Sequence, residues 1–217
     1  MPAENSKLVI PSYSPVYTTK FGAAYLADSS KLIQKIPSNS IDLIITSPPF
    51  ALIKQKSYGN KKASHYVDWF IETFALELYR ILKPTGSLVI DIGGTWNRKS
   101  PTRSLYHFEL LLRLCSEPIG FMLAQEFYWY NPAKMPSPAQ YVNIERIRVK
   151  DAVNPIWWLS KTDRPKADNR KVLTPYKASM KKLFAKGYND GPRPSGHKVS
   201  KVWRRNNGGA IPPNLLL

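Results

Sequence analysis

The run Ile41-Asp42-Leu43-Ile44-Ile45, closed by Thr46-Ser47-Pro48-Pro49-Phe50, constrains this chain more than any other ten residues. It is too short for a helix and rich in β-branched side chains, so it reads as a core strand of a parallel sheet. Two consecutive prolines have no amide hydrogen to give a ladder, so the strand must stop before them. The Ser47 and Pro48 carbonyls are then free to accept from something other than the sheet. Ligands of open α/β sheets bind where the strands end. A hydroxyl, free carbonyls and an aromatic ring suit a planar ring with an exocyclic amino group, although a plain Pro-Pro turn satisfies the same local pattern.

The rest of the chain supports an α/β reading. Ala23–Ala27 reads as a strand, with Ser29 or Ser30 capping a short helix over 31–36. The spacing of Trp69, Phe70, Phe74, Leu78 and Ile81 predicts an amphipathic helix over 66–82, its aromatic stripe facing the core. Lys83–Gly86 reads as a stop and turn, and 87–94 as a buried strand ending in Gly93-Gly94. A helix over 104–115 and strands over 121–130 and 151–160 follow, the last two as an antiparallel edge. Strand and helix alternating in this order define an α/β sheet that is mostly parallel with an antiparallel edge. The expected division is a domain over 1–160 and a basic, loop-rich segment over 161–217, helical only near 177–186.

Composition narrows the function. The 217 residues carry 32 Lys and Arg against 15 Asp and Glu, a formal +17. Residues 161–205 hold 14 basic and 3 acidic residues, and the segment interleaves Tyr176, Tyr188, His197 and Trp203 with its cations. That is the footprint of a nucleic-acid-facing surface, with a solvated basic tail as the alternative. The candidate DNA contacts are Lys54, Lys56, Lys61, Lys62, Arg193, His197, Lys198, Lys201, Arg204 and Arg205. No apolar stretch approaches the ~20 residues of a membrane span, and Met1–Asn5 lacks the features of a secretory signal. A cytoplasmic protein is expected. The single Cys115 excludes an internal disulfide and reads as a buried structural thiol. No ligand set has metal spacing, no Walker loop or nucleophile elbow is present, and Gly93-Gly94 reads as a tight turn rather than a cofactor loop.

What remains is amino-group chemistry. An aromatic amine is a poor nucleophile because its lone pair is delocalised into the ring. Acceptors at the Ser47 hydroxyl and Pro48 carbonyl would hold its two hydrogens and aim the lone pair at an electrophile. Phe50 would stack on a base taken out of the duplex.

Ser47-Pro48-Pro49-Phe50 resembles the catalytic signature of cytosine-N4 DNA methyltransferases; adenine enzymes usually carry Asp or Asn in place of the Ser. The resemblance extends through Tyr66-Val-Asp-Trp-Phe70, Asp91-x-Gly-Gly94, Phe127-Tyr-Trp-Tyr-Asn-Pro132, Arg148-Val-Lys-Asp-Ala-Val-Asn154, Arg193-Pro-Ser-Gly-His197 and 206–215. It covers nearly the whole chain and points to the permuted, beta-group enzymes of restriction–modification systems. It implies a partial Rossmann-like methyltransferase sheet, S-adenosylmethionine as methyl donor and a flipped cytosine in double-stranded DNA as acceptor. Ser47, Pro48, Pro49 and Phe50 would form the catalytic loop, the basic segment would read the target, Asp28 would border the cofactor, and Asp91 would be scaffold. In that family a cofactor half, opening on a motif like H-P-A-x-F-P, follows the catalytic half. The chain stops at Pro212-Pro213-Asn214 and three leucines, where that half is expected to begin. The resemblance therefore implies either a second chain that supplies the cofactor half or a truncated, inactive DNA-binding remnant. An adenine-N6 target is the alternative chemistry.

Overall fold

The structure, a computed structural model, describes residues 10, 12–52, 56–57, 59–187, 194–196 and 205–216. They form two compact units, residues 1–166 with 215–217, and residues 167–214.

The first unit opens with a short antiparallel pair, β1 (Tyr17–Thr18) and β2 (Ala23–Ala24). The strand expected over 23–27 is thus a two-residue ribbon apart from the main sheet. The short helix begins earlier than the sequence suggests, as α1 (Ser29–Leu32). Its cap is Asp28 rather than Ser29 or Ser30, because the Asp28 carboxylate accepts from the Ser30 amide at 3.0 Å and from the Ser30 hydroxyl at 2.7 Å. A 3-10 turn, Ile33–Lys35, follows. The Arg80 guanidinium donates to the Ile33 and Ile36 carbonyls at 3.1 and 2.9 Å, satisfying the end of that turn from across the chain.

β3 (Ile41–Thr46) ends at the residue before Ser47-Pro48-Pro49, as the missing proline donors require. The helical stretch 63–81 divides into α2 (Ala63–Phe70), a π-helical turn (Ile71–Ala75) and α3 (Leu76–Ile81). β4 (Leu82–Asp91) starts directly after it. The turn expected at 83–86 is instead a register irregularity, since Ile41 pairs with Leu82 while Leu43 pairs with Ser87. Gly86 is needed there, because a Cβ would lie 3.0 Å from the Ile41 carbonyl oxygen. α4 (Tyr106–Cys115), β5 (Met122–Tyr130) and β6 (Val153–Ser160) complete the unit with β7 (Leu215–Leu216).

The main sheet has the order β3-β4-β6-β5-β7. β3 is parallel to β4, and β7 to β5, whereas β6 is antiparallel to both of its neighbours. Four strands therefore share one direction and only β6 opposes them. The antiparallel pair expected at the edge is present, but β7 covers the outer side of β5.

Leu88, Ile90, Trp157 and Leu159 from the sheet pack with Tyr66, Phe70 and Leu78 of the helical stretch and with Leu110 and Leu114 of α4. The predicted aromatic stripe is core: Tyr66 meets Trp69 and Tyr106 edge-on at 5.4 and 5.0 Å. Cys115 packs against this core, and burial raises its thiol pKa. β3 departs from its expected setting. It is an edge strand among the described residues, with Leu43 52% and Ile45 71% exposed. The core-like apolar run has a partner on one edge only.

In the second unit α5 (Ala178–Lys186) packs Phe184 edge-on against Tyr176 at 5.1 Å. Thr174 and Ala210 bridge, and the Asn207 amide donates to the Tyr176 hydroxyl at 3.1 Å.

Candidate active site

Register brings the first two site residues together. Thr46 lies opposite Ile90 in the parallel pair, so Ser47 follows beside Asp91. The Ser47 hydroxyl points its proton at Asp91 Oδ2 across 3.5 Å, the long limit for such a contact. Asp91 is half-buried; its other oxygen is buried and has no partner among the described residues. Burial raises its pKa above the usual carboxylate value, partly offset by the Ser47 hydroxyl and the Lys134 charge. The sequence reading of Asp91 as scaffold missed this contact.

Phe50 turns the other way, over the glycine pair. A Cβ on Gly93 would sit 2.6 Å from the Phe50 ring, and one on Gly94 would meet the Arg103 guanidinium at 2.0 Å. The two glycines thus allow close packing, and the tight turn expected there is absent, since neither residue lies in a turn or has a positive φ. The Tyr106 hydroxyl donates to the Gly93 carbonyl from α4 and fixes the loop from behind.

Beside Phe50 opens a pocket of about 410 Å³. Phe50, Gly93, Trp96, Lys134, Asp151 and Asn154 are among the residues that line it. Ser47, Pro48 and Pro49 border this region from the end of β3 without being among its lining residues; Ser47 and Pro49 are exposed. Trp96 is clamped: the Arg148 and Arg103 guanidinium carbons lie 3.8 and 5.1 Å from its ring. Arg103 pairs with Asp151 at 2.7 Å. These residues come from four separate segments, and no local spacing announced them. The Arg148–Asn154 motif was the one signal that could have found Asp151 and Asn154.

Of the expected DNA contacts, Lys56 lines the pocket, and its amide donates to the Asn60 side chain at 2.6 Å. Asn60 in turn donates to the Leu52 carbonyl at 3.1 Å, which closes the loop after Phe50. Lys61 and Lys62 are exposed at the start of α2. Arg205 is exposed and lines a second cavity, about 840 Å³, with Tyr176, Met180 and Ile211. Lys54, Arg193, His197, Lys198, Lys201 and Arg204 lie outside the described residues. Asp28, the expected cofactor neighbour, spends its carboxylate on capping α1. No group of metal-ligating residues occurs among the described residues, and no described helix is long and apolar enough to cross a membrane.

His107 stands behind the site on α4, 3% exposed, with Nδ1 buried and unpartnered among the described residues. Burial, aided by Arg103, pushes its pKa down from 6.5 to about 4. The unfolded chain therefore binds a proton that the fold refuses between those values. Stability should be full above about pH 6.5 and fall by about 3 kcal/mol as pH drops to 4. Urea titrations across that window should show the loss, and His107→Gln should remove this component. An unchanged pH profile in the variant would show that His107 is not its source.

Ligands of open α/β sheets bind at strand ends, and here that edge offers acceptors for an amino group rather than a nucleophile or a phosphate loop. The fold is of the methyltransferase class. The chain belongs to the DNA methylase family, whose profile matches residues 41–211. It is 51% identical over 205 residues to the type II methyltransferase M.PvuII of Proteus hauseri, covering 93% of this chain and 60% of the relative. It is 26% identical to the type II methyltransferase M.BglII of Bacillus subtilis, covering 82% and 47%. The solved structure of the cytosine-N4-specific PvuII DNA methyltransferase superposes with a TM-score of 0.69 at 43% identity, over 94% of this chain and 60% of that one. The chain thus spans about 60% or less of the length of these relatives.

Proposed function

We propose that this chain is the catalytic-loop and target-recognition part of a DNA methyltransferase acting on N4 of a flipped cytosine, within a restriction–modification system. The observation that carries the reading is the Ser47–Asp91 contact at the end of β3, next to a base-sized pocket walled by Phe50. Its likeness to a cytosine-N4-specific enzyme supports cytosine over adenine.

The chemistry follows from the hydroxyl. A serine has one proton and two lone pairs. With its proton directed at Asp91, Ser47 Oγ offers lone pairs to an incoming amino group, and the Pro48 carbonyl takes the second hydrogen. The nitrogen is thereby tilted toward tetrahedral geometry. The proton it must shed passes to Ser47 Oγ while the Ser47 proton moves to Asp91, whose raised pKa suits that task. Phe50 provides the stacking face for the extruded base.

S-adenosylmethionine is the methyl donor this reading requires, and it would supply an electrophilic methyl group. The described residues offer it a poor fit. The glycine pair is filled by Phe50 and Arg103, and Asp28 is engaged as a cap. The free edge of β3, with Leu43 and Ile45 exposed, is where we place the strands that would hold the donor, on a further segment or a second chain. The lysines after Phe50 and the basic segment over 161–205 are the candidate contacts for double-stranded DNA.

Tritiated S-adenosylmethionine tests the reading. The chain alone should bind the donor weakly or not at all by calorimetry. Co-expressed with the C-terminal remainder of its M.PvuII relative, it should transfer label to plasmid DNA as N4-methylcytosine. Micromolar donor binding by the chain alone would overturn the β3 placement. Label recovered on adenine would overturn the cytosine assignment, and DNA binding without transfer would leave a non-catalytic remnant.

A further inference from the structure

Lys134 is placed in the pocket by a braced turn. The Lys134 amide donates to the Asn131 carbonyl at 3.2 Å, the Asn131 side chain accepts from Ala133 at 3.0 Å, and Lys150 donates to the Pro132 carbonyl at 2.8 Å. From there Lys134 Nζ donates to Asn154 Oδ1 at 2.9 Å. Asn154, 8% exposed, sits near the start of β6 opposite Trp129 of β5. Both side chains line the pocket.

The pair has donors to spare. An ammonium carries three and a carboxamide two. One Lys134 hydrogen goes to Asn154, and the carboxamide oxygen is the atom that receives it. The remaining hydrogens have no protein acceptor among the described residues. No carboxylate lies within salt-bridge distance of Lys134 there either, although Asp91 and Asp151 act on it electrostatically.

Two kinds of group therefore meet here: Ser47 and Pro48 accept where β3 ends, at the border of the pocket, and Lys134 with Asn154 donates from its lining. Cytosine has the complementary edge: an amino donor at N4, then acceptors at N3 and O2. Thymine reverses the first two positions. Adenine keeps the amino group and one ring acceptor but carries C2–H where cytosine carries O2.

We infer that Lys134, positioned by Asn154, is a specificity-determining residue that donates to the N3/O2 edge of the flipped base and so selects cytosine. This rests on the methyltransferase reading and names the chemistry by which the same pocket chooses its base. A donor left unpaired by the wrong base is what makes hydrogen-bonding sites selective. The charge on Lys134 adds strength to the bond.

Ligand-observed saturation-transfer NMR on the chain, with deoxycytidine, deoxyadenosine and thymidine, tests the inference. The unmodified chain should prefer deoxycytidine. Lys134→Met should weaken deoxycytidine roughly 10- to 100-fold and deoxyadenosine markedly less, removing the preference. Lys134→Arg should restore part of it, and Asn154→Ala should lower it by loosening the ammonium. Equal losses for all three nucleosides would mean a structural or phosphate-facing lysine and would overturn the assignment, as would no loss at all. Failure of the unmodified chain to bind deoxycytidine in a Phe50-dependent manner would overturn the base pocket itself, which is a different failure.

Discussion

Ser47→Ala should lower methyl incorporation into DNA by about 100-fold or more in the reconstituted enzyme, with DNA affinity unchanged. The hydroxyl sits beyond the last sheet pair, is exposed, and among the described residues hydrogen-bonds to Asp91 alone, so its removal should leave fold and DNA surface intact. The variant loses both an acceptor for the amino group and the relay to the carboxylate. Asp91→Asn should be nearly as slow, because an amide directs the hydroxyl poorly and accepts no proton. The pH profile separates the roles. Asp91 must be ionised to accept, and burial raises its pKa, so the rate should fall as pH drops through a value above the ordinary carboxylate range. Asp91→Asn should abolish that acid limb. Full activity in the Ser47→Ala enzyme, or an acid limb that survives Asp91→Asn, would remove this pair from the mechanism.

The end of β3 was legible because two prolines leave a strand no choice. The helix expected over 66–82 was legible from its aromatic spacing, although its start at Ala63, its end at Ile81 and the π-helical turn at Ile71–Ala75 were not. The strand pair 122–130 and 153–160 was legible from its aromatic content. Elsewhere tertiary context decided. Ala23–Ala27 reads as a strand but among the described residues has only Tyr17–Thr18 to pair with. Leu43 and Ile45 look like core residues because nothing local reveals that, among the described residues, β3 has one neighbour and the face they share is uncovered. The site itself divides along the same line. Ser47 and Phe50 are neighbours in sequence and could be read as a unit. Asp91 reaches Ser47 only through the register of a parallel pair formed by residues 44 positions apart. Lys134 and Asn154 meet because a turn and a reversed strand fold back beside Phe50, which no spacing encodes.

That reversed strand makes Trp157→Ala the most damaging single change expected for the fold. Trp157 is 1% exposed and lies on β6 between Ile90 of β4 and Glu126 of β5. Its indole packs in the cluster that joins the sheet to the helices. Deleting so large a buried side chain leaves a cavity that β6 cannot close without leaving both neighbours. The cost should be about 3–5 kcal/mol, a large share of the ~5–15 kcal/mol typical of a domain. Urea unfolding followed by circular dichroism should show the midpoint fall with an unchanged slope. Trp158→Phe provides the contrast. Trp158 is half-buried, and its Nε1 donates to the Ser87 hydroxyl at 2.8 Å, so about 1 kcal/mol is expected. A Trp157→Ala loss no larger than that of Trp158→Phe would mean that β6 is not the centre of the sheet. Because Asn154 lies three residues before Trp157 on the same strand, the Trp157→Ala chain should also lose its deoxycytidine preference at urea concentrations the unmodified chain tolerates. The wall that reads the base is only as firm as the strand that carries it.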